Sequence, residues 1–182
     1  VNVVREEIVF KWANTSNQIT SLEIFNDAGG GSTFASGSEV VVLGMDDDEA
    51  DSGTNYCQEL AYIVGTNDST SNVHEMNIGT FTAKTFLWVE GYIKHNGNVH
   101  ALMRANTDTS NNFGTGRSND FATNANDNGQ AYTKIQTAEN AKHGFFRTFI
   151  LNISNREKIF ISHVVQGDTG TSSTPNSGER AG

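Results

Sequence analysis

The chain has 182 residues, 36% of them hydrophobic and only 18% charged, with a formal net charge of −9. That describes one domain large enough to bury a core, with apolar blocks too regular for a disordered chain. An acidic balance of this size repels phosphate backbones, which excludes nucleic acid as a partner, and no apolar run approaches the length of a membrane span.

The polar balance is carried by Asn, Thr, Ser and Gly, which are poor helix formers and favour turn-rich β structure. From the N-terminus, VVREEIVFKW places Ile8, Phe10 and Trp12 on one face of a strand. A polar turn at 13–18 leads to a second strand over 19–25, with Leu22 and Ile24 facing together. NDAGGG at 26–31 is loop. EVVVL at 39–43 is short and continuously apolar, the pattern of a strand covered on both faces. The acidic loop DDDEADSG follows, and Thr54–Val64 is the best helix candidate, with Thr54 as cap and Tyr56, Leu60, Ala61 and Val64 at helical spacing.

Residues 65–77 are expected to be polar linker, and TFLWVEGYIK at 85–94 is the next strong strand. HNGN at 95–98 carries the Asn-Gly hairpin signal into a strand at 99–105. The polar stretch 106–129, anchored only by Phe113 and Phe121, is expected to be a long contact loop. A weak strand at 131–137 precedes a hairpin formed by Phe145–Val165, in which two Phe/Ile/Val runs flank the turn tetrad Asn155-Arg156-Glu157-Lys158. Both faces of its first arm carry apolar groups, so this arm is expected at the centre of a sheet, covered on both sides.

The pattern predicts an all-β fold: an antiparallel β-sandwich, jelly-roll-like, of about eight strands with one short helix. Residues 1–166 form a single domain, and 167–182 are a Gly/Ser/Thr tail that is flexible or bound to a partner. The first residue is valine and no signal peptide is visible, so the chain is expected to be a processed or excised product. Period-two alternation assigns Phe10, Trp12, Leu22, Ile24, Trp88, Phe149, Leu151 and Ile161 to the core.

Several blocks carry a resemblance. FTAKTFLWVE at 81–90, NTDTSNNF at 106–113, RSND at 117–120, DNG at 127–129, FILNISNREKI at 149–159, KWANTSNQIT at 11–20 and GSEVVVLG at 37–44 together resemble a jelly-roll-like domain of virion structural proteins. That domain is found in marine viruses and phages, often in tandem copies. None of these motifs is a catalytic signature. In the family the FLWVE strand comes early and the KWANTS segment late, whereas here KWANTS comes first, so the order is permuted. The resemblance implies a structural, non-enzymatic role in a virion or extracellular setting, with copies of the chain or other virion or filament proteins as partners. The permuted order makes Val3, Val4, Ile8, Phe10 and Trp12 an assembly strand, filled from the same chain where the termini meet or donated by a neighbour.

Catalytic constellations are lacking in the sequence. His74, His95, His100, His143 and His163 show no metal-ligand spacing, and His163 reads as a sheet histidine. Cys57, the single cysteine, reads as a small buried hydrophobe. Asp46, Asp47, Asp48, Glu49 and Asp51 supply hard oxygens of the kind calcium takes, with Gly53 for the bend, against a solvated acidic turn as the plainer account. A second acidic set, Asp108, Asp120, Asp127 and Asn128, serves equally well as Asx-turn formers. Calcium apart, no cofactor is expected. Asn14-Thr15-Ser16 and Asn152-Ile153-Ser154 fit the glycosylation pattern. Trp12, Trp88 and Tyr92 are the aromatics on which a sugar would stack, so a carbohydrate-binding module is the alternative to a self-assembling structural protein.

Overall fold

The structure, a computed structural model, describes residues 4–26, 34–46, 57–65, 75–94, 100–119, 123–136 and 143–167. Twelve strands run through them: β1 Val4–Trp12, β2 Ser21–Asn26, β3 Glu39–Met45, β4 Gln58–Val64, β5 Glu75–Thr80, β6 Phe86–Lys94, β7 Ala101–Ala105, β8 Phe113–Asn119, β9 Thr123–Gln130, β10 Thr133–Gln136, β11 His143–Leu151 and β12 Lys158–Gly167. They form an eight-stranded sheet, ordered β4-β3-β6-β11-β12-β1-β8-β9, and a four-stranded sheet, ordered β10-β7-β2-β5. All pairings are antiparallel, and the two sheets enclose one core, as a β-sandwich does.

The expected hairpin is the spine of the large sheet. β11 pairs with β12 from His143↔Gly167 to Leu151↔Ile159, and Asn155 takes the left-handed conformation in the connection, at φ 59°. β6 and β1 flank this pair, so β11 lies at the centre of the sheet as expected, but it is not covered on both sides: Phe145 and Phe149 on its outer face are exposed.

The face assignment along the spine needs correcting. Phe146, Thr148 and Ile150 of β11 and Phe160, Ser162 and Val164 of β12 point into the sandwich, while Phe149 and Ile161 stand outside at 42% and 45% exposure. Trp88 and Leu151 share that outer face and are half-buried, whereas Phe10, Trp12, Leu22 and Ile24 are core as expected. Both registers present apolar side chains, so alternation alone could not choose between them. The core decides by volume. The Phe146 ring crosses its partner Gly91, where an added Cβ would run into the ring, and Phe10 stacks on its partner Phe160 at 4.2 Å.

The helix expected over Thr54–Val64 does not form. From Gln58 onward the chain is β4, paired with β3, and the helix count of the expected fold falls to zero among the described residues. An open edge on β3 offers backbone partners to Tyr62, Ile63 and Val64, and β-branched residues take them readily. The expected contact loop at 106–129 also contains two strands, β8 and β9. Their sequences, FGTGRSN and TNANDNGQ, lack an apolar period because backbone ladders hold them at the sheet margin, where Phe113 and Thr115 face the core. β5 likewise begins inside the expected linker.

Polar straps join the layers. Asn152, fully buried just after β11, accepts a hydrogen bond from the Ile19 N–H at 2.6 Å and donates to the carbonyls of Ile19 and Lys84 at 3.1 and 3.0 Å. The approach to β2 of the small sheet is thereby tied to the approach to β6 of the large one. Thr115 and Thr133 hydroxyls share a hydrogen bond of 3.1 Å between β8 and β10, and Thr148 donates to Ser162 at 2.9 Å inside the spine.

Candidate functional site

The outer face of the large sheet is the most unusual surface of the molecule. The register places its side chains in rows that cross β3, β6, β11, β12 and β1 in turn. One row runs Met45, Phe86, Leu151, Ile159, Lys11 and the next Leu43, Trp88, Phe149, Ile161, Val9. The third, read from β3 to β12, is Val41, Glu90, Arg147, His163, and the fourth Glu39, Tyr92, Phe145, Val165. Two apolar rows therefore adjoin one charged row, with apolar groups again at the centre of the fourth. Of the exposed large hydrophobics among the described residues, Val9, Met45, Phe86, Tyr92, Phe145, Phe149, Ile159, Ile161 and Val165 all belong to this face.

Its aromatic side chains are stacked. Trp88 and Phe149 lie with ring centroids 4.8 Å apart. The Arg147 guanidinium rests over Trp88 at 4.9 Å and within 6.0 Å of the Phe145 centroid, and its Nε donates to the Glu90 carboxylate at 2.5 Å. Glu90 and Arg147, the charges at the centre of the third row, are thus paired with each other across neighbouring strands. Below this row a groove of about 360 Å³ is lined by Leu43, Met45, Phe86, Trp88, Phe149, Leu151, Ile159 and Ile161, with Cys57 at its margin. Cys57, expected as a buried hydrophobe, is exposed. The Trp88 indole N–H is buried without a hydrogen-bond partner, the one such side-chain atom among the described residues.

The sequence-predicted site residues separate. Trp12 does not belong to a binding platform: it is fully buried, packs against Phe113 at 6.3 Å, and donates its indole N–H to Asp108 at 2.6 Å. Trp88 and Tyr92 do share the outer face, two rows apart, with Glu90 between them. The assembly strand is an interior strand of its own sheet, between β12 and β8, with Ile8, Phe10 and Trp12 in the core and Val4 paired with Gln166. The two ends of the described chain therefore meet at one end of the sandwich. Val3 lies outside the described residues.

Of the acidic loop, Asp47, Asp48, Glu49 and Asp51 lie outside the described residues. Asp46 accepts hydrogen bonds from the Lys84 ammonium and the Thr85 N–H, both at 2.8 Å, and the Lys84 contact leads in holding its carboxyl below the usual carboxylate value. Among the described residues no cluster of His, Cys, Asp and Glu is arranged to hold a metal. Asp108 organises its turn as an Asx former. Burial pushes its carboxyl up, but hydrogen bonds from Asn112, Trp12 and Ser110 outweigh that and hold it down. The Asn152 glycosylation sequence sits on a fully buried side chain, which leaves no room for a glycan in the folded chain.

Lys158 is the cation that sequence reasoning placed in the turn. It is the first residue of β12 and buried, its ammonium donating to the carbonyls of Asn14 and Arg156 and standing 5.9 Å from the Trp12 ring centroid. Desolvation lowers its pKa. The apolar row from Leu43 to Val9 was missed as a surface because Leu43, Trp88, Phe149 and Ile161 read as buried. The signal that marks it is a strand apolar on both faces paired with another of the same kind. Compared with known proteins, the chain matches no protein family, no curated protein and no solved structure.

Proposed function

We propose that this chain is a non-enzymatic structural subunit, a β-sandwich that self-assembles into a virion appendage, a capsid decoration or an extracellular filament. The observation that carries the proposal is the outer face of the large sheet. Five strands at about 4.8 Å spacing and four rows at about 6.8 Å give it roughly 650 Å², of which the two adjoining apolar rows make up about half. A contiguous apolar patch of about 300–600 Å² on a monomer is often a functional surface. The motif resemblance to virion structural domains points the same way. Electron microscopy of native particles or filaments, with an antibody raised against the chain, tests the reading. Labelled, regularly spaced subunits are expected, and a chain recovered from its native source only as free monomer would overturn it.

One observation favours a carbohydrate-binding module instead: Tyr92 and Phe145, cross-strand partners on this face, are both well exposed. Sugar hydroxyls need hydrogen-bonding side chains beside such rings. Glu39 and Glu90 bring carboxylates beside Tyr92, whereas the lining of the neighbouring groove offers no hydroxyl, carboxylate or carboxamide side chain. Binding on a glycan array that disappears with Tyr92→Ala would support this second reading.

A further inference from the structure

We infer that the outer face of the large sheet is the contact between two copies of this chain, packed face to face about a twofold axis that runs along the strands between β6 and β11. This inference rests on the assembly reading and specifies its partner. The argument is self-complementarity. Glu90 on β6 and Arg147 on β11 are direct partners, as are Trp88 with Phe149, Phe86 with Leu151 and Tyr92 with Phe145. A twofold between these strands lays each β6 side chain over its β11 partner in the other copy. Apolar rows then cover apolar rows, and Glu90 of each copy meets Arg147 of the other. Within one copy the two charges are already paired, so contact closes a ring of four alternating charges and leaves none uncompensated.

Area and charge select this occupant. With the axis between β6 and β11, β3, β6, β11 and β12 of each copy overlie β12, β11, β6 and β3 of the other. About 520 Å² per copy and about 1,040 Å² in a pair are therefore buried, just above the roughly 1,000 Å² that a specific interface needs. An anionic lipid surface is disfavoured by the net charge of −9 and by a charged row crossing the middle of the face. Aligned sheets also pack readily face to face.

The test is sedimentation of the full chain and of its outward-facing variants over a concentration series up to about 100 μM. The parent is expected to form dimers, and Phe149→Glu to weaken the dimer at least about tenfold. Ile161→Glu, in the same row on β12 and over Leu43 of the other copy, should do likewise, which guards against a folding defect peculiar to one site; circular dichroism checks each fold. Glu90→Arg alone and Arg147→Glu alone should each remain monomeric, since each places four like charges together. Mixed in equal amounts the two should form a heterodimer, because every cross-contact is then opposite in sign. A parent that stays monomeric, a mixture that stays monomeric, or a dimer indifferent to Phe149→Glu and Ile161→Glu would overturn the inference. Native particles still built from the chain in that case would leave the structural reading standing, and their absence as well would remove both.

Discussion

Replacing Asn152 tests whether polar straps or apolar burial hold the two sheets in register. Asn152→Leu keeps the side chain's size and removes its three hydrogen bonds, taking from the Ile19 N–H, the Ile19 carbonyl and the Lys84 carbonyl the partner that Asn152 gives each. The Ile19 pair is fully buried and the Lys84 carbonyl partly so. At about 1–3 kcal/mol per stranded buried group, the loss should reach about 3–5 kcal/mol, a large share of the roughly 5–15 kcal/mol typical of a whole domain. Urea unfolding followed by tryptophan fluorescence reads this as a midpoint lowered by about 2 M. Asn152→Asp sharpens the test. It retains an acceptor for the Ile19 N–H but sets a carboxylate against two carbonyls, so the folded state holds its proton to higher pH than the unfolded state does. Its deficit relative to the parent is then full at neutral pH and shrinks as pH falls, because the protonated carboxyl restores one donor. An Asn152→Leu variant within about 0.5 kcal/mol of the parent would refute the reasoning and shift the credit to the apolar core.

Gly91→Ala should destabilise by about 1–3 kcal/mol in the same assay, since its Cβ meets the Phe146 ring, and combining it with Phe146→Leu should recover part of that loss. At dilutions that keep the chain monomeric, Phe160→Ala should cost about 3–5 kcal/mol while Phe149→Ala stays within about 1 kcal/mol of the parent; equal costs would show that the outer face is covered in the monomer. Asp46→Asn should cost stability above the ordinary carboxylate value of 3.8, where the parent's ionised Asp46 holds Lys84 and Thr85, and the gap should close as pH falls through the parent's lowered pKa. With that side chain partly exposed the difference is modest, and thermal melts at several acid pH values measure it.

The alternation in β1 and the hairpin of β11 and β12 were legible in the chain itself, because branched and aromatic runs separated by Asn, Gly and Ser leave few options besides strands and turns. The all-β sandwich and the central place of the hairpin follow from that chemistry alone. Neighbours decided the rest. Gln58–Val64 carries a helical period and still forms a strand, since the β3 edge supplies hydrogen bonds that a short isolated helix cannot match. β8 and β9 have almost no apolar signal and exist through their backbone ladders to β1 and to each other. The candidate site was hidden for a related reason. Phe149 and Ile161 look identical, residue by residue, to Phe160 and Ile150, and only the packing of Phe146 across Gly91 settles which set faces the small sheet. Composition and periodicity determine that a strand exists and that both its faces are apolar. Which face is buried is a property of the assembled core, where volume, glycine gaps and facing side chains must fit together.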